Sequence, residues 1–433
     1  MKIFVALWLL FNPYKAMKNL LLLLAVLFAS FYTQASKPTE QEEVYGLHLA
    51  NGRQSTRIRF ELHSNLIIVP VKINKSDTLR FVLDTGVGST ILTDASVAHK
   101  LGMKSVRKMK IQGMGNGEAM AADVTVGNTL KVGKLQAFKH NVVVMDKDIL
   151  RLSEFVGVPI HGIFGYEIFN KFVVTIDFNR QELTLTTPTK YKYSTKQGDR
   201  FPIVIEKTKP YLDAVTVVSN DRELPIRVVL DTGAGHALML NTSASNIQLP
   251  QKVVKAQLGV GLAGVINGHI GRIPKVRIGN FELNDVITTF PDSSAFGVKI
   301  TDQHPYRDGN LGGELLRRFK VTFNYEAGYI VLKPNKKRFN DRFEHDMSGI
   351  DVRAKGNRFR QYYVENIVEG SPAQQAGLQE GDELLFINNE SVEDLALSEL
   401  YRMFQRKEGK EIRLVVRRNG RPVSIDFALK RII

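Results

Sequence analysis

The apolar positions of this chain fall mostly in short runs with a period of two, or none, closed off by Gly, Asn, Asp or Pro. IRFEL (58–62), NLIIVPVKI (65–73), LRFVL (79–83), FVVTIDF (172–178), ELTLT (182–186), AVTVV (214–218), IRVVL (226–230), KVTFNY (320–325) and YIVLKP (329–334) are rich in Val, Ile, Thr and aromatics. Such runs predict β-strands, because branched and aromatic side chains pack well on a pleated surface. Helical spacing of apolar residues is confined here to GYEIFNKF (165–172) and GGELLRRF (312–319), one short helix each. The polar stretch TTPTKYKYSTKQGDR (186–200) reads as a linker between two halves.

Beyond the basic segment PNKKRFNDR (334–342) the pattern changes. A strand runs into a turn at Gly370-Ser371-Pro372, then a short helix closed by Gly377, a Gly381-Asp382 turn and a second strand ending at Asn388-Asn389. A helix over Leu395–Lys407 follows, and Asn419-Gly420 joins the last two strands with a type I′ hairpin signal. At the other end, Lys18 precedes the apolar run LLLLLAVLFASFY (20–32) and the small-residue exit Thr33-Gln34-Ala35. That is the form of a secretory signal over residues 1–35, with a mature chain from near Ser36. The run is shorter than the roughly 20 residues that cross a bilayer, so no stable membrane span is expected; an uncleaved anchor is the other reading.

The chain also repeats itself. FVLDTGVGST (81–90) returns within IRVVLDTGAGHALML (226–240), with Asp84 and Asp231 spaced by 147. HGIFGYEIFNKFVVTIDF (161–178) lies over DGNLGGELLRRFKVTFNY (308–325) at the same spacing, pairing Gly165 with Gly312, Phe172 with Phe319 and Asp177 with Asn324. Two glycine-rich segments, IQGMGNGEAM (111–120) and LGVGLAGVING (258–268), occupy like places between those landmarks. They are candidate flaps, mobile covers built around Gly113, Gly115, Gly259 and Gly261.

Composition narrows the chemistry. Of 433 residues, 43% are hydrophobic and 24% charged, ordinary for folded material. The net charge of +15 comes from Lys and Arg spread along the chain with no basic arm, so it reads as solubility and no nucleic-acid partner is expected. The absence of cysteine removes a disulfide framework, a thiol nucleophile and a lipid-anchored cysteine. The histidines show no paired ligand spacing, so neither a metal nor a cofactor is expected. Gly259 to Gly264 reads G-V-G-L-A-G, with Asp285 further on, but Gly268, Gly271 and Pro274 argue against the helix that a dinucleotide fingerprint needs.

What remains is a pair of aspartates. Two carboxylates held about 3 Å apart cannot both ionise, so identical residues become a general base and a general acid. The paired D-T-G motifs, each followed by an apolar-Gly, resemble the pepsin and retropepsin type of aspartic peptidase over residues 56–333. The resemblance implies a mainly β, bilobal acid-protease-type β-barrel fold made by internal duplication, with lobes at 56–188 and 200–333. It implies a catalytic dyad of Asp84 and Asp231, supported by Thr85, Gly86, Thr232 and Gly233. Gly165 and Gly312 let the chain pass beneath. An extended polypeptide substrate would lie in the cleft as an added strand, and one chain supplies both carboxylates, so the active site is monomeric. Neither flap has the tyrosine of pepsin-like flaps, which points to retropepsin-like bacterial enzymes.

Four positions depart from the pattern. Val87 and Ala234 follow the D-T-G motifs where pepsin-like enzymes commonly carry a hydroxyl; loss of that donor raises the dyad's pKa and predicts a weakly acidic to neutral optimum. His236 stands in the second half where the first has Ser89, and Asn310 where an apolar residue is usual.

The C-terminal stretch EGSPAQQAGLQEGDELLFINNESV (369–392) resembles the PDZ domains of bacterial proteases, an α+β domain over residues 349–433. That resemblance implies a site for a peptide C-terminus or internal segment. Amides around Arg360, Gln361, Tyr362 and Tyr363 would take a carboxylate, and the strand from Val364 through Ile367 to Val368 would pair with the peptide. A module that only packs on the protease lobes is the alternative. Together the sequence predicts an exported bacterial aspartic endopeptidase, periplasmic or extracellular, with a PDZ domain for recruitment or regulation. Its rival is a non-catalytic peptide-binding scaffold, to which neither carboxylate would be of use.

Overall fold

The computed structural model describes residues 46–433 except 112, 116, 118, 220, 221, 243–246 and 297–306. The expected export signal at 1–35 lies outside the described residues. The structure is mainly β, in four sheets of nine, six, eight and six strands.

In each half, the apolar run before D-T-G becomes an inner strand. Leu79–Asp84 pairs in parallel with Gly162–Gly165, so that Gly165 lies opposite Asp84. Arg222–Leu230 pairs in parallel with Gly309–Leu311, so that Leu230 lies opposite Leu311. Both strands have neighbours on either side, and their ends before the aspartates, Phe81–Leu83 and Val228–Leu230, are buried as unbroken apolar stretches. In the nine-stranded sheet an extra pairing joins Met120–Val132 to Leu135–Met145, and in the eight-stranded sheet one joins Lys209–Ser219 to Gly264–Ile278.

A six-stranded sheet ties the halves together. Ser55–Arg59, Val173–Asp177 and Glu182–Thr186 come from the first half; Asp199–Pro202, Phe319–Asn324 and Tyr329–Pro334 come from the second. At its centre Thr175 pairs with Thr322, and their hydroxyls meet at 2.9 Å across a separation of 147 residues. The two-fold relation read from the repeat therefore runs through this point. Phe169 and Phe323 cross beside it edge to face, with centroids 5.1 Å apart. Both predicted short helices form, at Tyr166–Lys171 and Gly313–Leu316. The linker ends earlier than predicted: Asp199 already belongs to the shared sheet.

The C-terminal domain has its own core. Its main sheet runs Ile350–Lys355, Gln361–Ile367, Glu383–Ile387, Glu411–Arg418, Arg421–Ala428. Helix Leu397–Phe404 buries Leu397, Leu400, Met403 and Phe404 against it. Asn419 and Gly420 take φ of 51° and 78°, the left-handed pair a type I′ turn requires.

Candidate active site

The D-T-G loops are locked to one another through their threonines. The Thr85 amide donates to Thr232 Oγ1 and the Thr232 amide to Thr85 Oγ1, both at 3.1 Å. Each hydroxyl in turn donates to the carbonyl preceding the opposite aspartate: Thr85 to Leu230 at 2.6 Å, Thr232 to Leu83 at 2.8 Å. Buried polar groups must be paired, and here every partner sits on the other lobe, so neither loop reaches this conformation alone.

Each aspartate is then held by its own turn. Gly86 N–H donates to Asp84 Oδ1 at 2.6 Å and Gly233 N–H to Asp231 Oδ1 at 3.0 Å. Asp84 leans across the interface so closely that a Cβ on Gly233 would overlap its carboxyl group. Gly165 and Gly312 are needed for the same kind of reason: a Cβ on Gly165 would enter the Asp84 backbone, and one on Gly312 the carbonyls of His236 and Ala234.

The surroundings of the two carboxyl groups differ. Burial, and then the charge of Asp231, push Asp84 up to about 7, against the pull of the Gly86 amide and of Lys209. Val87 beside it is buried in an apolar cluster and offers no side-chain donor. Asp231 receives an additional hydrogen bond, from Asn310 Nδ2 to its Oδ2 at 2.9 Å. His236 is an electrostatic neighbour of Asp231; burial lowers its pKa against the pull of that carboxylate, and its Nε2 has no partner.

Lys209 is a site residue that the sequence reading did not single out. It follows the turn between Val204–Glu206 and Lys209–Ser219, and it feels both Asp84 and Asp231. Burial lowers its pKa, helped by Arg307 and opposed by the two carboxylates. The turn beside it reaches the other lobe, where Thr208 packs on Gly88, just as Asn65 donates to the Gly235 carbonyl at 3.0 Å from the equivalent turn of the first lobe. A charged turn such as EKTK reads as solvent loop, so only the fold brings it to the dyad.

Both glycine-rich segments are hairpin tips, and the tips meet. Ser105–Ile111 pairs with Met120–Val132, and Val253–Gly261 with Gly264–Ile278. Ala263 N–H donates to the Met114 carbonyl at 2.9 Å and Gly117 N–H to the Ala263 carbonyl at 2.5 Å. A Cβ on Gly113 would strike Leu262, one on Gly115 the Ala263 backbone, and one on Gly261 the Met114 carbonyl. Gly259 has open space but a φ of 150°. The G-V-G-L-A-G run is thus part of an antiparallel hairpin and begins no helix.

The aspartyl protease family model matches this chain twice, over residues 69–168 and 215–315, and a PDZ domain model matches residues 363–418. Each of the first two matches contains one D-T-G loop, one hairpin tip and one of the glycines Gly165 and Gly312. The chain carries an aspartyl-protease-type domain in two regions and a separate PDZ domain. It is also similar to the carboxy-terminal processing protease CtpB of Bacillus subtilis (strain 168), 25% identical over 134 residues, which are 31% of this chain and 27% of that protein. The chain thus spans about a quarter of that relative's length. Among the described residues, no helix is long and apolar enough to cross a membrane.

The PDZ domain departs from the sequence expectation in which strand it offers. Gln361–Ile367 lies inside the sheet, paired along its length by Ile350–Lys355 and, on its other side, at Tyr362 and Tyr363 by Glu383–Ile387. On that side Val364 also exchanges backbone hydrogen bonds with Gly381 and Asp382, and the outer edge of the sheet belongs to Ile350–Lys355. The side chains of Arg360 and Tyr362 donate to the Leu395 carbonyl, while Gln361, Tyr362 and Tyr363 stand on the strand opposite Lys355, Ala354 and Arg353. Three successive amides that do converge on a carboxylate are those of Ser348, Gly349 and Ile350, and they take the side chain of Asp346.

The edge strand also faces the protease domain. Helix Leu152–Val156 of the first lobe lies alongside it. Arg151 donates to Glu365 at 2.9 Å, Arg353 stacks over Phe155 at 5.3 Å, and Gly157 is so close to Leu397 that a Cβ would touch it at 2.8 Å. Val352 N–H is already capped by Tyr401 Oη at 2.9 Å.

Proposed function

We propose that this protein is an exported aspartic endopeptidase that hydrolyses peptide bonds with water activated between Asp84 and Asp231. The observation that carries the reading is the reciprocal threonine lock, which sets one carboxyl group from each lobe against the other. The ionised carboxylate takes a proton from water as its oxygen attacks the scissile carbonyl, while the protonated partner gives its proton to the carbonyl oxygen. The rings of strand pairing in both large sheets suit the acid-protease barrel, and the touching hairpin tips suit a paired cover over an extended polypeptide.

The PDZ domain serves in this reading as a regulator or recruiter of polypeptide substrates. The similarity to a processing protease gives the same direction, without naming a substrate for this chain. Export rests on the signal-like sequence at 1–35 and is tested by fractionating cells that express the full chain.

The decisive experiment is cleavage of a diverse peptide library by the wild type, Asp84→Asn and Asp231→Asn across pH. Both variants should lose about 10³-fold or more in kcat/KM. Activity surviving in either one would count against an intrachain dyad, and no cleavage by the wild type would favour a peptide-binding scaffold.

A further inference from the structure

The dyad is built by a duplication, yet its two carboxyl groups are not equivalent, and the difference lies in residues outside the D-T-G motifs. In the first lobe, the strand parallel to Leu79–Asp84 sets Ile163 opposite Val82. In the second, the strand parallel to Arg222–Leu230 sets Asn310 opposite Val229, the equivalent place. One lobe therefore has an aliphatic side chain where the other has an amide, and that amide reaches the carboxyl group of its own lobe at 2.9 Å.

Packing does not account for the amide. Asn310 is 4% exposed, and its Oδ1 is enclosed without a hydrogen-bond partner. A buried acceptor left unpaired is costly, and an isoleucine, tolerated in the first lobe, would avoid that cost. The orientation also follows from the inventory of donors. Reversing the amide would leave two N–H donors in the place where one acceptor now lies unpaired, so the N–H faces the carboxyl oxygen.

We infer that Asn310 is a positioning residue that sets the division of labour in the dyad: it holds Asp231 as the carboxylate that takes the proton from water, and leaves Asp84 to carry the proton donated to the scissile carbonyl. The inference rests on the proteolytic reading for its chemistry. In the forward step the water oxygen bonds to the carbonyl carbon, a water proton passes to Asp231, and the Asp84 proton passes to the carbonyl oxygen. In the collapse one hydroxyl returns its proton to Asp84 as the C=O bond reforms, and Asp231 gives its proton to the departing nitrogen as the C–N bond breaks. Both groups end as they began.

The other groups facing the pair do not reverse this assignment. Lys209, backed by Arg307, acts on both carboxylates and so does not choose between them. Tyr325 lies near both and stays protonated, burial holding its pKa well above the usual phenol range. Burial of His236 beside Asp231 lowers its pKa and so favours the uncharged ring. Burial beside Asp231 holds Asp84 in the protonated state up to about pH 7, in the same direction as the geometry.

The test joins a kinetic arm to a direct one. Replacing the amide by the residue of the first lobe, Asn310→Ile, should raise the acidic limb of the kcat/KM profile by about one pH unit, while the alkaline limb stays within a few tenths. The direct arm needs no cleavage: carbon-13 NMR of the aspartate carboxyl carbons in the full wild-type chain, with resonances assigned through Asp84→Asn and Asp231→Asn. Between the two titration steps, Asp84 should carry the protonated shift and Asp231 the carboxylate shift. A proton resting on Asp231, or shared equally, overturns the inference even if Asn310→Ile fails to fold. An active enzyme whose acidic limb ignores Asn310→Ile overturns it as well. A wild type that cleaves nothing overturns the proteolytic reading, and the NMR titration then still decides where the proton sits.

Discussion

At the residue scale the most consequential number is the Asp84 pKa. Burial and the neighbouring Asp231 raise it from 3.8 to about 7. For an acid raised on folding, the stabilising contribution is full below the unfolded pKa and is lost as pH climbs through the folded one. Asp84 should therefore weigh against the fold above pH 7, by a few kcal/mol at most since the group keeps some exposure. Asp84→Asn, which cannot ionise, should match the wild type in thermal midpoint near pH 4 and exceed it near pH 8; equal midpoints at both would refute the shift. For catalysis the same proton must be present, so kcat/KM should fall on the alkaline side near pH 7, in keeping with the missing hydroxyls at Val87 and Ala234. The lock makes a second residue-level prediction. Thr232→Val strands the Thr85 amide and the Leu83 carbonyl, at a cost of about 3 kcal/mol in denaturant unfolding, whereas Thr232→Ser keeps both bonds and should cost under about 1 kcal/mol. The dyad, the threonines and the glycines were legible because the duplication writes them twice. Lys209 was not, since its electrostatic reach to the carboxylates depends on a turn folding back from another part of the lobe. Asn310 stood out only as an amide in an apolar slot; the bond to Asp231 needed coordinates.

At the element scale, the buried strand ends Phe81–Leu83 and Val228–Leu230 were legible as unbroken apolar stretches, and the helices at 166–171 and 313–316 as brief changes of period. Ile350–Lys355 escaped notice because IDVRAK alternates apolar and charged residues over a short span, as many surface loops do. That omission moved the expected peptide-binding strand one place inward in the sheet. The hairpin tips were legible as glycine-rich, but glycine content alone does not say that two tips touch. Their contact gives an element-level prediction. Gly115 has a φ of 133° and no room for a Cβ against the Ala263 backbone. Gly115→Ala should therefore part the tips and lower kcat/KM by about tenfold through loss of substrate cover, while the free energy of unfolding stays within about 1 kcal/mol because the tip adds little buried area. A variant with wild-type kinetics would mean that the tips open fully during turnover and that their contact at rest is incidental.

At the scale of the whole molecule, helix Leu152–Val156 is shared between two jobs. On one side Leu150 and Val156 belong to the buried cluster that holds Val87 of the catalytic loop, with Ile111 and Met120 from the base of the first flap packed against it. On the other side Arg151, Phe155 and Gly157 meet the PDZ domain at its second strand, its edge strand and its helix respectively. Packed contacts thus run without a break from the PDZ domain to the cluster around Val87 of the first D-T-G loop. The ion pair alone should matter little: Arg151 and Glu365 are 40% and 27% exposed, and such pairs are worth about 0–1 kcal/mol, so Arg151→Ala should change kcat/KM by less than about threefold. Gly157 is the sensitive point. Its φ of 77° disfavours any side chain, and a Cβ would press on Leu397 at 2.8 Å. Gly157→Ala should push the PDZ helix away, expose the 334–349 connection to limited proteolysis and shift kcat/KM by roughly tenfold, within the range of coupling energies between packed domains. If the connection becomes labile while kcat/KM is unchanged, the PDZ domain docks without governing catalysis, and its role would be confined to holding the substrate.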